Sequence, residues 1–239
     1  MAGVGRTTLA GHVFNDNAEE IFDLNLWVSV SDDFDLVRVT KAILESVTTN
    51  TVTEFKEFNK VQENLSKELA GKKFLIVLDD VWNTYGYGLW TKLQSPLRVG
   101  APGSKILVTT RDEDVAKMMG ATEVHNLNGI SNDDCWKVFE QHGPLNLHND
   151  VPTVSESLKE KIIAKCNGLP LAARALGGLL CCKERYEWEE ILGNKMWSLS
   201  DESGILPVWV RATRDWDIVA STRGTAPLNT GECALCCRC

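Results

Sequence analysis

The sequence predicts an α/β fold built on a parallel sheet, followed by a smaller helical subdomain. Three observations carry this. The chain opens on Gly3-Val4-Gly5-Arg6-Thr7-Thr8, a stretch whose glycines let successive backbone N–H groups line a concavity ahead of a helix. Phe74-Leu75-Ile76-Val77-Leu78 is apolar without alternation, as a strand buried on both faces is. Past about Gly129 the strand-like runs vanish and helical spacing takes over, whereas before it strands alternate with helices.

Taken in order, Thr7 to about Asn15 is the helix leaving the opening loop, and Leu24 to Val30 is a strand closed by Ser31-Asp32-Asp33. Asp35 can accept hydrogen bonds from the free N–H groups of the next helix, whose Leu36, Val39, Ile43 and Val47 recur at helical spacing. Val61, Leu65 and Leu69 mark another helix, ending before Gly71. Phe74 to Leu78 is a strand that Asp79 and Asp80 end abruptly. Ser95 to Gly103 reads as loop, punctuated by Pro96, Gly100, Pro102 and Gly103. Lys105 to Thr110 is the next strand, with Arg111 at its carboxyl end, and Asp114 to Met119 is a short helix. In the second part, Ser131 can cap a helix bearing Trp136, Val138 and Phe139, and His142 to Pro152 is polar and turn-rich. Ser157 and Glu160 have capping-box spacing, ahead of a face formed by Leu158, Ile162 and Cys166. Asn167-Gly168 is a helix stop and Pro170 suits the first turn of the helix through Leu171, Ala175, Leu176 and Leu179. Trp188, Ile191 and Leu192 mark one more.

Composition narrows the function classes. With 239 residues, 44% hydrophobic and 24% charged, the chain has the balance of a globular protein. A net charge of -8 and a pI near 5.1 argue against a nucleic-acid partner held by an overall basic surface. No apolar run approaches the roughly 20 residues of a membrane span, and no signal peptide opens the sequence. A reducing, cytoplasmic location is expected. Four of the eight cysteines fall at Cys233, Cys236, Cys237 and Cys239, and one C-x-x-C pair without a second pair or a histidine leaves free thiols as the favoured reading over zinc.

The chemistry is concentrated at a few positions. Against the phosphate-loop pattern G-x-x-x-x-G-K-[ST], Gly5 takes the second glycine slot, Arg6 the lysine slot and Thr7 the hydroxyl slot. The first glycine slot falls one residue before Met1. A helix start beyond such a loop favours an anion, a hydroxyl can hold magnesium, and a basic residue can reach the outer phosphates. A glycine turn before an ordinary helix would read the same. Asp79 and Asp80 follow a buried strand, where ligands of open α/β sheets lie, and two carboxylates there can hold magnesium and orient a water. A surface turn after a strand is the bland alternative. Arg111 stands at an equivalent strand end and could reach a terminal phosphate with its planar fork, or could be a solvated arginine. Trp27, Trp90 and Trp136 read as core, and His125, His142 and His148 lack metal-type spacing.

Together these residues resemble the NB-ARC domain of plant nucleotide-binding, leucine-rich-repeat disease resistance proteins. Gly3 to Thr8 is similar to that family's phosphate loop and Leu24 to Asp35 to the segment that follows it. LIVLDDVW, Leu75 to Trp82, resembles its magnesium-binding motif, with the closing Trp82 typical of the coiled-coil class. GSKILVTTR, Gly103 to Arg111, resembles its sensor strand, and CNGLPLA, Cys166 to Ala172, the motif opening its helical subdomain. The resemblance covers about residues 1 to 207 and implies an ADP/ATP switch with slow ATP hydrolysis on a parallel-sheet P-loop NTPase fold. It implies nucleotide contacts from Gly3, Val4, Gly5, Arg6, Thr7, Thr8, Arg111 and Pro170, with the last on adenine. It gives magnesium to Thr7 and Asp79, and water positioning, the catalytic role, to Asp80. It also implies coiled-coil and leucine-rich-repeat domains as partners in the full-length receptor.

The organisation expected is a nucleotide-binding subdomain over 1–128 with its first strand missing, an ARC-type helical subdomain over 129–207, and a tail over 208–239 that lacks the resemblance and is expected to be disordered. The missing strand is expected to lie between the strand ending at Asp79 and the one ending at Thr110. Poor ATP binding follows from that gap, and Arg6→Lys alone is not expected to restore it. Arg6 departs from the family's lysine, and arginine is a planar fork rather than a compact point charge. The alternative function is a truncated, non-enzymatic interaction fragment or pseudogene product that binds no nucleotide.

Overall fold

The computed structural model describes residues 3–16, 21–30, 35–48, 57–82, 87–143, 154–181 and 183–193. The tail with its clustered cysteines, and the polar stretch after Gly143, lie outside the described residues. The elements are α1 (Arg6–Asn15), β1 (Leu24–Ser29), α2 (Leu36–Val47), α3 (Phe58–Leu69), β2 (Phe74–Val81), α4 (Tyr87–Gln94), β3 (Lys105–Thr110), α5 (Glu113–Met118), α6 (Asn132–His142), α7 (Glu156–Cys166), α8 (Pro170–Cys181) and α9 (Arg185–Gly193). They fall into two compact units, Gly5–Asn126 and Met1–Val4 with Leu127–Cys239.

The first unit is an α/β layer structure around a parallel sheet of order β1-β2-β3. Its central strand, β2, has no alternation because both faces are covered. Phe74, Ile76 and Leu78 enter a core with Val39, Ile43, Leu65, Leu69 and Leu93. Leu75 and Val77 pack on the opposite face with Ala10 of α1, and Phe14, Trp27 and Leu107 close around them. The expected cap of α2 is formed: Asp35 Oδ1 accepts from the N–H groups of Val37 at 2.8 Å and Arg38 at 3.2 Å. Among the described residues no helix is long and apolar enough to cross a membrane.

Four expectations are corrected. No strand lies between those ending near Asp79 and Thr110: β2 and β3 pair directly, from Leu75 opposite Lys105 to Leu78 opposite Val108. The two strands thus close over the expected gap. Strand order is a pairing of segments far apart in the chain, which no local residue pattern encodes. Nor does β2 end at Asp79. It continues to Val81, with a register irregularity after which Val81 lies opposite Thr110. Two residues, Asp79 and Asp80, thus oppose Thr109 alone, the count of a β-bulge. Val81 consequently rejoins the face of Phe74, Ile76 and Leu78. The stretch Ser95 to Gly103 is not all loop, since α4 runs into a tight helical turn over Ser95–Val99 that accommodates Pro96 near its start. Finally, the N-cap of α7 is Ser155, not Ser157, which lies inside the first turn.

The second unit is helical. Ser131 caps α6 by accepting from Asp134 N–H at 3.1 Å. Cys135, Phe139, Leu158, Ile162, Cys166, Leu176, Leu180 and Trp188 form its core. α7 stops at Asn167 and Gly168, with φ of 47° and 70°. Gly177 lets α8 approach α6 closely, because a Cβ there would stand 2.9 Å from the carbonyl oxygen of Phe139. The Cys135 and Cys166 thiols are free and hydrogen-bonded to each other, and that bond with burial pushes the Cys166 thiol up.

Candidate functional site

The site is built on the carboxyl ends of β2 and β3 and on the start of α1. Gly5 is the N-cap of α1 at φ 94°, a left-handed conformation that glycine adopts without a Cβ penalty. As glycine it brings no side chain to accept from the first-turn N–H groups, which have no acceptor within the helix. Two residues on, Thr7 Oγ1 donates to Asp79 Oδ1 at 3.0 Å. The loop hydroxyl and the strand-end carboxylate therefore meet at one point, as the sequence pattern predicts for two halves of one site.

Asp79 is only 7% exposed. A buried carboxylate requires hydrogen-bond donors, and a second comes from Thr109, whose Oγ1 donates to the same Oδ1 at 2.6 Å. The Thr109 oxygen also accepts from the backbone N–H of Asp80 at 2.8 Å. That contact satisfies an N–H that the bulge removes from the ladder. It holds Asp80 at φ 58°, a left-handed conformation uncommon outside glycine but tolerated by aspartate. Thr109 is the functional residue that sequence reasoning missed. Its signal is a polar residue inside an apolar strand, and that becomes informative only once the register sets it opposite the two acids.

Arg111 Nη2 donates to Asp80 Oδ2 at 3.2 Å, and both side chains are about a quarter exposed, at 26% and 28%. The guanidinium of Arg111 lies 3.8 Å from the centroid of the Trp82 ring. Arg6 belongs to the same electrostatic group. Partial burial and then the like charge of Arg111 lower its pKa, while Asp80 acts in the opposite sense. Two guanidinium groups, Arg6 and Arg111, and two carboxylates, Asp79 and Asp80, thus share this end of the sheet with balanced formal charge. Thr8 is exposed on α1. Gly3, Val4 and Pro170 belong to the second unit, where Gly3 carbonyl accepts from Leu171 N–H at 3.3 Å and Val4 is buried. The oxygen set of Thr7 and Asp79 is hard and anionic, which suits magnesium rather than a soft metal.

Comparison with known proteins bears on the family and the fold. The NB-ARC domain profile matches residues 1–146. The chain is 40% identical over 210 residues to "Disease resistance protein RGA2" of Solanum bulbocastanum, covering 87% of this chain and 21% of that protein. It is 40% identical over 216 residues to "Putative disease resistance RPP13-like protein 1" of Arabidopsis thaliana, covering 87% of this chain and 20% of that one. The chain thus spans about a fifth of the length of these curated relatives. Among solved structures, that of the Aeropyrum pernix ORC1 protein in complex with DNA superposes with a TM-score of 0.55 at 14% identity, covering 96% of this chain and 72% of that one. At that identity the likeness concerns the α/β fold alone. The loop before α1, β2 and β3 all lie within the matched span, and the chain belongs to the NB-ARC domain family.

Proposed function

We propose that the chain is the ADP/ATP-binding switch module of a plant intracellular immune receptor, ADP-bound at rest and ATP-bound when signalling, with slow hydrolysis. The observation that carries the reading is the 3.0 Å hydrogen bond from Thr7 to Asp79, which joins the loop hydroxyl to the strand-end acid. In this reading the N–H groups of Gly3 to Thr8 and the side chain of Arg6 take the phosphates, Arg111 senses the terminal one, and Pro170 contacts adenine. Thr7 and Asp79 would hold magnesium, and Asp80 would orient the attacking water. Bound magnesium supplies neutralisation of the phosphate charge. The names of the relatives support a role in disease resistance. A cytoplasmic setting, and coiled-coil and leucine-rich-repeat domains as partners, belong to the same proposal.

A titration with fluorescent ADP, with and without magnesium and with GTP as competitor, tests the reading. The expected result is magnesium-dependent binding displaced by ATP and not by GTP. Tighter displacement by GTP than by ATP would overturn it. The second reading, an interaction module that binds no nucleotide, is favoured by one observation: arginine stands in the lysine slot, at a partly buried position beside Arg111. Absence of ADP binding at any magnesium concentration would select it.

A further inference from the structure

We propose that Trp82 is a positioning residue for terminal-phosphate discrimination, because its ring holds the Arg111 guanidinium at the site by stacking on its face. The inference rests on the nucleotide-binding reading above and adds to it the device that keeps the sensing arginine in place.

The placement of Trp82 follows from the bulge. Val81 and Thr110 are opposite each other, and Thr110 Oγ1 donates to Val81 carbonyl at 2.7 Å, which fixes the two strands just before they end. Trp82 and Arg111 are the next residues on each. They therefore emerge as cross-strand neighbours, and the guanidinium carbon comes to 3.8 Å from the ring centroid. Trp82 is 38% exposed, in contrast to Trp90, which is 5% exposed and donates its indole N–H to Met119 carbonyl at 2.9 Å. One tryptophan is core; the other presents its ring to a cation.

Something must hold Arg111 there. Arg6 and Arg111 carry like charges at one site, where burial first and then the charge of Arg111 lower the Arg6 pKa, and a free arginine would relieve that repulsion by swinging into water. Asp80 offsets part of it through the 3.2 Å ion pair, but this is the contact that a terminal phosphate would compete with. A stacked ring is different in kind. It engages the face of the guanidinium and leaves the in-plane N–H fork free to bind oxygen. Trp82 can thus retain Arg111 while its hydrogen bonds pass from Asp80 to a phosphate. ADP has no terminal phosphate at that place, so loss of the ring should weaken ATP binding more than ADP binding.

The test uses the full chain in five forms: unmodified, Trp82→Ala, Trp82→Phe, Arg111→Ala, and the double variant Trp82→Ala/Arg111→Ala. Affinities for ADP and for a non-hydrolysable ATP analogue are measured with magnesium. Trp82→Ala is expected to lower the ATP-analogue affinity relative to ADP by roughly three- to tenfold. Trp82→Phe should keep most of the preference, and Trp82→Ala should have no further effect in the Arg111→Ala background. An equal loss for both nucleotides, or an undiminished loss without Arg111, would overturn the inference while the nucleotide reading stands. Binding of neither nucleotide by the unmodified chain would overturn both. A nucleotide-free arm separates the two further. The Arg111 side-chain proton resonances should be shifted upfield by the ring current in the unmodified chain and in Trp82→Phe, and not in Trp82→Ala. Unshifted resonances in the unmodified chain would defeat the inference whatever the nucleotides do.

Discussion

The two units are built from the same apolar physics and differ in what they do with polar groups. Each has a core of fully buried side chains, Ile43, Leu65, Ile76 and Leu78 in one, Phe139, Ile162, Leu176 and Leu180 in the other. Yet among the described residues the buried polar side chains, Thr40, Asp79 and Thr109, all lie in the sheet unit. Thr40 is the ordinary case, since its hydroxyl donates to Leu36 carbonyl in its own helix at 2.6 Å. Asp79 and Thr109 bond to each other across two strands. In the helical unit polar groups work at the surface, as the Ser131 cap and the exposed pair of Lys137 and Asp134 do. Burying a carboxylate is unfavourable unless it is well supplied with donors, so the sheet unit keeps one for a reason other than stability. That contrast singles out the end of the sheet that carries the proposed site without reference to any motif.

The comparison can be broken most directly at the cores. Ile76→Ala and Leu176→Ala should each destabilise their unit by about 2–5 kcal/mol in denaturant unfolding, since both side chains are buried and tightly packed. A loss confined to one unit would show that the cores are not equivalent. Next in size is Thr109→Val, which keeps the shape and removes a donor to Asp79 and an acceptor for Asp80 N–H. The expected cost is about 1–3 kcal/mol, with Thr109→Ser close to the unmodified chain. Thr40→Val should cost less, because Leu36 carbonyl keeps its place in the helix ladder. If the two threonine variants melt alike, Thr109 is no more than an ordinary buried hydroxyl.

The two acids sharpen the contrast within the site. Asp79→Ala should weaken magnesium-dependent ADP binding, whereas Asp80→Ala should slow hydrolysis more than binding. Equal binding losses, with hydrolysis following occupancy, would contradict that division. Arg6→Lys alone is not expected to restore strong nucleotide binding, because it exchanges a planar fork for a compact ammonium and keeps the positive charge beside Arg111. ADP binding much tighter than in the unmodified chain would refute this. The smallest effect belongs to the helical unit. Partial burial, then the charge of Arg174, hold the His142 pKa below its ordinary 6.5. Its folded form therefore resists protonation, so its contribution is present above pH 6.5 and is lost as pH falls through the depressed value. His142→Gln should flatten a slight fall in melting temperature on the acid side, and a steeper fall in the variant would reverse the sign.

What could be read from the sequence was local. The unbroken apolar run of β2, the carboxylate of Asp35, the Ser131 cap and the Asn167-Gly168 stop each depend on residues within a turn or a strand of one another. What could not be read depends on partners distant in the chain. The pairing of β2 with β3 joins Leu75 to Lys105, and the bulge is defined only by Thr109 across from it. α4 escaped notice because Tyr87 and Gly88 open it without a cap signal, and the prolines and glycines beyond it suggested loop where a tight helical turn forms. Ser157 matched the spacing of a capping box, but capping is decided by backbone angles, and the extended residue is Ser155 at φ -61°, ψ 145°. At the site, loop and acids were legible by type; Thr109 and the stacking of Trp82 on Arg111 were not, since both act across strands.

The bulge also makes the stretch from Leu75 to Trp82 sensitive to length in a way that substitution does not probe. A strand presents odd and even residues to opposite faces, so its downstream orientation is a matter of parity. The bulge places two residues in one register slot and so resets the count, which is why Val81 shares a face with Leu78, three positions earlier, rather than opposing it. Deleting either acid would therefore do more than remove a carboxylate. It would restore the ordinary alternation, while the residue left opposite Thr109 would follow β2 straight into Val81. The slack that sets Asp80 in its left-handed turn would be gone. Two adjacent acids are, in this sense, a counting device as much as a pair of charges. A chain of this kind can exchange residues at this strand end more readily than it can gain or lose one.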